Sequence, residues 1–183
     1  MVLAQRCFSR FLPLFLLVAL GSLPAFAAAP AQSAGWRPIT HEDVWLMKRM
    51  GAMAVSPDGR WIVMSVSEPA YDDAQKGSDL WIVPSDGSAP PRRLTSSKAA
   101  EGSPVFSPDS RRIAFVAKRE GDDVSQIYVL ELAGGEALRV TNWATGARKP
   151  LFSPDGRTML FVSETFPGAQ SDEDNRKAIA ERK

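Results

Sequence analysis

The chain has 183 residues, 44% of them apolar and 23% charged, with a net charge of +1, which suits about one domain. Its 22 basic against 21 acidic residues lack the basic excess of phosphate-driven nucleic-acid binding, so no nucleic-acid partner is expected. One Cys excludes a disulfide framework or thiolate metal cluster, and one His excludes a multi-His zinc site and leaves little for a hydrolase triad.

Arg6 and Arg10 lead into the apolar run Phe11 to Leu20, and Gly21, Ser22 and Pro24 lead on to Ala25-Phe26-Ala27-Ala28-Ala29. A positive start, an apolar stretch of ten and a small-residue A-x-A site describe a secretory signal peptide over residues 1–27, cleaved after Ala27. A membrane anchor reaching Ala29 would be interrupted by Gly, Ser and Pro, whereas a span needs about 20 clean apolar residues. Cys7 precedes the apolar run, so it is not a lipoprotein cysteine. Cleavage would leave a cysteine-free chain with 20 basic and 21 acidic residues, periplasmic or secreted and without a membrane segment.

Residues 28–52 form a leading segment. Thr40 is a good N-cap, Asp43 places a carboxylate near the first free N–H groups, and Val44, Leu46, Met47 and Met50 follow at helical spacing. This predicts a short amphipathic helix ending at Gly51. His41 falls in its first turn, exposed, and receives no catalytic role, since a catalytic His needs an orienting partner and a nucleophile.

Residues 53–169 repeat. AVSPDGRWIVMSV, VFSPDSRRIAFVA and LFSPDGRTMLFVS align on Ser56, Ser107 and Ser153, at periods of 51 and 46. Between them recur LWIVPSDGSAPPRRLT (Leu80 to Thr95) and IYVLELAGGEALRVT (Ile127 to Thr141), and Pro104 and Pro150 stand three residues before Ser107 and Ser153. S-P-D-G is a turn: Pro presets φ, Asp binds nearby backbone, and Gly accepts positive φ. Ser110 takes the Gly position in the second copy, so that turn either carries strain or closes differently. Strands are predicted over Trp61 to Val66, Ile113 to Ala117 and Met159 to Val162, apolar enough for burial on both faces. Further strands are predicted over Leu80 to Val83 and Ile127 to Leu130. After Gly-bearing hairpins come fourth strands, Arg92 to Thr95 and Leu138 to Thr141. With the short strand before each S-P-D, this makes four antiparallel strands per repeat, the pattern of β-propeller blades. The predicted class is all-β, an incomplete TolB/WD40-like propeller of about two and a half blades, with a short N-terminal helix and a C-terminal helical segment.

Individual residues read as structure. Asp58, Asp109 and Asp155 suit turn chemistry better than calcium or catalysis, and Trp61, Trp81 and Trp143 suit packing better than a ligand cage. Tyr71-Asp72-Asp73 lies in a long connection and is the best placed for binding, although a solvated loop is the better reading. Residues 170–183 are a polar helix. Ser171 and Asp174 make its cap, and Asp172/Arg176, Glu173/Lys177 and Lys177/Glu181 lie at i,i+4. Only Ala178, Ile179 and Ala180 are apolar, so it has almost no core face. A propeller needs about four to eight blades, so the sequence reads as the N-terminal piece of a longer protein.

The THEDVWLMKRMG segment running into AVSPDGRWIVMSV, the repeated F-S-P-D-(G/S)-R and the R-(L/V)-T elements resemble the start of a prolyl-oligopeptidase-family serine peptidase. Acylaminoacyl-peptidase-like and dipeptidyl-peptidase-like bacterial enzymes are the nearest subgroup. FVSETFPGAQSDEDNRKAIAERK resembles a helical insertion in such propellers. The resemblance spans residues 36–183 and implies a propeller that filters peptide substrates for an α/β-hydrolase domain using a Ser-Asp-His triad. No G-x-S-x-G occurs and the one His lies before the propeller, so no catalytic residue carries over and these residues are expected to be inactive alone. No cofactor-binding or metal-binding residue is assigned, and no metal or organic cofactor is implied. Peptide substrates are the implied partners, and homo-oligomerisation stays open. A TolB-like propeller acting as a protein-binding module is the alternative, since it shares the S-P-D-G elements.

Overall fold

The computed structural model describes residues 37–72 and 77–182, so the predicted signal peptide lies outside the described residues. Among these, α1 (His41–Trp45) precedes ten strands, and α2 (Asp172–Ala180) follows them. Strands β1 (Arg49–Val55), β2 (Trp61–Glu68), β3 (Gly77–Pro84) and β4 (Arg92–Arg93) form one antiparallel sheet in the order β1-β2-β3-β4. Strands β5 (Glu101–Phe106), β6 (Arg112–Ala117), β7 (Gln126–Glu131) and β8 (Leu138–Arg139) repeat that order in a second sheet. Strands β9 (Arg148–Phe152) and β10 (Met159–Val162) pair in a third. The first strands β1, β5 and β9 lie beside one another in succession, so the sheets stack like adjacent blades.

The leading helix is shorter than its periodicity predicts. Thr40 and Asp43 form the expected capping box: Asp43 N–H donates to Thr40 Oγ1 (3.2 Å) and Thr40 N–H to Asp43 Oδ2 (2.8 Å). The helix stops at Trp45, and Arg49 already pairs with Ser67. Apolar spacing over one turn is a weak signal, and the ladder with β2 satisfies the same backbone groups. Gly51 is thus no helix terminus. A Cβ there would lie 2.6 Å from Ser65 Oγ, so the glycine permits close approach of two strands.

Each repeat opens with one device. Ser56, Ser107 and Ser153 donate through Oγ to Oδ1 of Asp58, Asp109 and Asp155 at 2.6, 2.5 and 2.5 Å. Each Ser Oγ also accepts a backbone N–H at the entry to the next strand, from Trp61, Arg112 and Thr158, at 2.9 to 3.0 Å. Each Asp Oδ1 accepts a further N–H, from Arg60, Arg111 and Arg157. These bonds hold all three carboxyls below the ordinary aspartate range, the Ser hydroxyl contributing most. The aspartates are therefore turn ligands, as their sequence context indicates.

Ser110 adopts φ 59°, beside 73° for Gly59 and 67° for Gly156. Its turn closes like the others and accepts left-handed strain, which costs an L-residue about 1 kcal/mol. Its Oγ accepts the Asp58 N–H of the preceding blade (3.1 Å), an offset glycine could not supply. The next turn docks similarly, with Arg112 Nη2 donating to Gly156 O (3.3 Å). The prolines mark bulges: Ser103 and Lys149, each at φ 51° before Pro104 and Pro150, sit where the β5–β6 and β9–β10 registers shift.

The R-(L/V)-T element explains why the fourth strands are only two residues long, shorter than predicted. Thr95 Oγ1 accepts from Leu80 N–H and Thr141 Oγ1 from Ile127 N–H, both at 2.9 Å, so a side chain replaces the ladder. The paired residues are Arg92, Arg93 and Arg139 with Leu138, and charge on an edge strand discourages further pairing.

Val63, Leu80, Ile82, Phe106, Ile113, Phe115 and Tyr128 fill the space between the first two sheets; Ala114, Ile127 and Ala147 meet Phe152, Met159 and Phe161 between the second and third. Burial of both faces holds for β6, where Ile113, Ala114, Phe115 and Ala117 are buried. It fails for β10. Leu160 and Val162, with Leu151 of β9, are exposed, because among the described residues only one face of this sheet meets a neighbour.

Ser107 is fully buried whereas Ser153 lies nearer solvent. Ser107→Ala should cost about 1–3 kcal/mol by leaving the Arg112 N–H without its partner, and Ser153→Ala should cost less. Urea unfolding of the two variants checks the order.

Candidate functional site

Because the sheets are antiparallel meanders, every S-P-D turn and both later hairpins fall at one end of the blades. The opposite end carries α1, the long connections and α2. Most charges that penetrate the structure lie at this loop end.

Between the first two blades sit Asp79 and Glu101, 3% and 2% exposed. Asp79 begins the apolar part of β3 and pairs with Arg93 of β4. Glu101 begins β5; its Oε1 accepts from Arg119 Nη2 (2.8 Å) and Ser97 Oγ (2.7 Å). Ser78 Oγ donates to the Glu101 carbonyl (2.9 Å), tying β3 to β5 across the seam. Asp79 Oδ1, Glu101 Oε2 and Arg119 Nε are buried without a hydrogen-bond partner. Burial pushes the Asp79 carboxyl above the ordinary range, opposed by Arg93 and reinforced by the negative charges of Glu101 and Glu68. Two arginines balance two carboxylates here, one ion pair in each blade on either side of the seam. Among the described residues, no three His, Cys, Asp or Glu side chains gather for a metal.

Arg119 also lies over the rings of Tyr128 (4.7 Å) and Phe115 (5.5 Å), a placement suited to a flat guanidinium. The Arg119 backbone N–H donates to Asp122 Oδ2, which also accepts from Tyr128 Oη (2.6 Å), while Oδ1 accepts from Arg139 (2.6 Å). Burial works against ionised Asp122, but the Tyr128, Arg139 and Arg119 donors prevail and lower its pKa. Burial and the Asp122 bond push Tyr128 up to about 12.

The loop singled out in the sequence behaves differently. Tyr71 stacks on Trp45 of α1 (6.4 Å, 21°). Lys48 joins the same corner, paired with Glu68 (2.7 Å) and lying over Trp81 (5.3 Å). The loop thus clips the leading segment to the first blade, and Asp73 lies outside the described residues. His41 is exposed on α1. Trp61 packs against the first core, and Trp143 meets Phe161 edge to face (5.6 Å).

Helix α2 has almost no apolar core face, as its composition predicts, and it docks through polar groups instead. Asn175, 2% exposed, accepts from Phe166 N–H through Oδ1 (2.9 Å). Asp172 Oδ1 accepts from Ala144 N–H (2.7 Å), and Arg176 donates to Asn142 O (2.6 Å). Ser171 and Asp174 form the predicted cap, and of the suggested i,i+4 pairs Asp172–Arg176 closes at 2.8 Å. Clefts of about 690 and 310 Å3 lie along the helix. Sequence reasoning missed Asp79, Glu101, Arg119 and Asn175. The available signal was a charge beside an apolar run, as in Asp79 before LWIV.

Stacked four-stranded antiparallel meanders, with first strands adjacent, define a β-propeller. The chain belongs to the TolB beta propeller domain family, whose PD40 profile matches residues 44–176. Its relatives include an uncharacterized peptidase of Bacillus subtilis, YuxL, 32% identical over 113 residues. That match takes in 61% of this chain and 17% of that protein. Dipeptidyl-peptidase 5 of Porphyromonas endodontalis is 31% identical over 129 residues, 62% of this chain and 18% of the enzyme. Among solved structures, a TolB protein from Agrobacterium tumefaciens superposes with a TM-score of 0.52 at 27% identity, covering 67% of this chain and 41% of that one. The chain spans less than a fifth of the length of the two peptidases it matches.

Two outcomes test the seam. Arg119→Met should destabilise the fold by about 3–5 kcal/mol, because Glu101 would stay buried and unpaired. Native Asp79 holds its proton to higher pH than the unfolded chain does. Stability should therefore fall as pH rises from about 4, the unfolded carboxylate value, through the raised native value. Asp79→Asn should flatten that slope in urea unfolding followed between about pH 4 and 8.

Proposed function

We propose that this chain is the N-terminal propeller portion of an exported serine peptidase of the prolyl-oligopeptidase type, gating peptide access to a hydrolase domain. The observation that carries the reading is the peptidase assignment of two relatives, each at least 31% identical over more than half of this chain. The open apolar face of Leu151, Leu160 and Val162 supports it, since a neighbouring sheet would bury these side chains. Acyl-enzyme chemistry would come from residues outside this sequence, which holds one His and no G-x-S-x-G. The propeller would contribute size selection and substrate positioning, with short peptides as substrates. Export rests on the predicted signal peptide of residues 1–27, and the location proposed is periplasmic or extracellular.

A second reading follows from the TolB superposition: a propeller that binds protein partners, with no hydrolase attached.

One experiment separates the two. An antibody against residues 36–165 should detect, in the exported fraction, a protein several times the mass of 183 residues. A fluorophosphonate probe should label its nucleophilic serine. Absence of labelling on a protein of that size favours the binding module, and a stable product close to 183 residues overturns the peptidase reading.

A further inference from the structure

Of the clefts at the loop end, the one between α2 and the third sheet is furnished for a ligand. It holds about 310 Å3, room for one side chain and its flanking peptide groups. Trp143 and Phe161 line it with aromatic surface. Asn175 lines it from α2 and is 2% exposed. Its Oδ1 is committed to the Phe166 N–H, while its amide nitrogen donates to no protein atom among the described residues. The nitrogen is not among the sealed, unpartnered polar atoms, so it opens to the cleft as an available donor. Gln170, exposed at the same cleft, offers a second amide.

The remaining polar groups narrow the ligand class. Glu164 is the carboxylate of the lining and is paired with Arg148 (2.7 Å), so the site offers no free charge to an ion. The hydroxyl protons are spent: Ser163 donates to Gly146 O (2.5 Å), Thr165 to Phe166 O (3.1 Å) and Ser171 to Asp174 Oδ2 (2.8 Å). A saccharide, which needs many reciprocal hydroxyl partners, is poorly served. A peptide group needs one donor for its carbonyl and one acceptor for its N–H, and an aromatic side chain suits the Trp143–Phe161 surface.

We propose that the α2 cleft is a peptide-binding subsite, in which Asn175 donates to a backbone carbonyl and Trp143 with Phe161 receives an apolar or aromatic side chain. The site belongs to the propeller itself and stands whether or not a hydrolase domain accompanies it.

Saturation-transfer NMR on the purified natural protein, with N-acetyl-Gly-Phe-Gly-amide as the probe, tests it. The protein is first treated with a fluorophosphonate, so that any hydrolase site is filled and its presence is scored separately. The expected result is saturation of the Phe ring protons, with affinity at least about ten-fold weaker in Asn175→Asp. That variant keeps Oδ1 for Phe166 and presents no donor. Asn175→Gln, with unchanged circular dichroism, checks that lost binding is not lost structure: it should retain part of the signal. No transfer at 10-fold excess over about 1 mM, equal binding by Asn175→Asp, or stronger transfer to maltose than to the peptide would each overturn the proposal.

Discussion

The bond on which the remaining architecture depends is the one from a repeat serine to the aspartate two residues on. A meander of short strands has no helix-like local cooperativity, so something must set where each strand ends and how it pairs. The Ser hydroxyl does both, donating to the Asp and accepting from the first N–H of the following strand. A one-residue slip would reverse every side chain between core and solvent. Anchoring the turn by two side chains makes that slip cost buried hydrogen bonds as well as apolar contact.

The same turns also join the blades. Asp58 N–H reaches Ser110 Oγ, and Arg112 reaches Gly156 O, so each turn is a partner for the next. At the loop end the joint is a hydrogen bond, from Ser78 Oγ to the Glu101 carbonyl, and the Asp79–Arg93 and Glu101–Arg119 pairs flank it, each within its own blade. The two ends differ in what they leave free. At the turn end the repeat devices satisfy one another. At the loop end they leave orphaned oxygens, clefts and a helix held by polar bonds, which is where recognition is best accommodated. The family match places this division of labour in a TolB propeller domain.

Much of the fold was legible because a repeat supplies its own control. The S-P-D-G turns, the strands that follow them, the R-(L/V)-T element and the Ser171–Asp174 cap all depend on neighbours within a few residues, and the structure contains each one. The errors share a cause. Residues 49–51 continue the helical spacing yet belong to a strand, because β2 is present to pair with it. β10 has the composition of a doubly buried strand yet has one exposed face, since burial depends on a neighbouring sheet and not on composition. α2 has the weak apolar face that its composition predicts, and the polar docking through Asn175, Asp172 and Arg176 is what the sequence left unread.

The sequence by itself determined the blade plan, the turn chemistry and the resemblance to peptidase propellers. Local hydrogen-bonding rules and internal repetition need no third dimension. Only the tertiary structure decided that Asp79 meets the charge of Glu101, that Arg119 lies between a carboxylate and two rings, and that Asn175 lines a cleft with Trp143. Those encounters join residues from different elements, and their energetics depend on burial, which chain order does not encode.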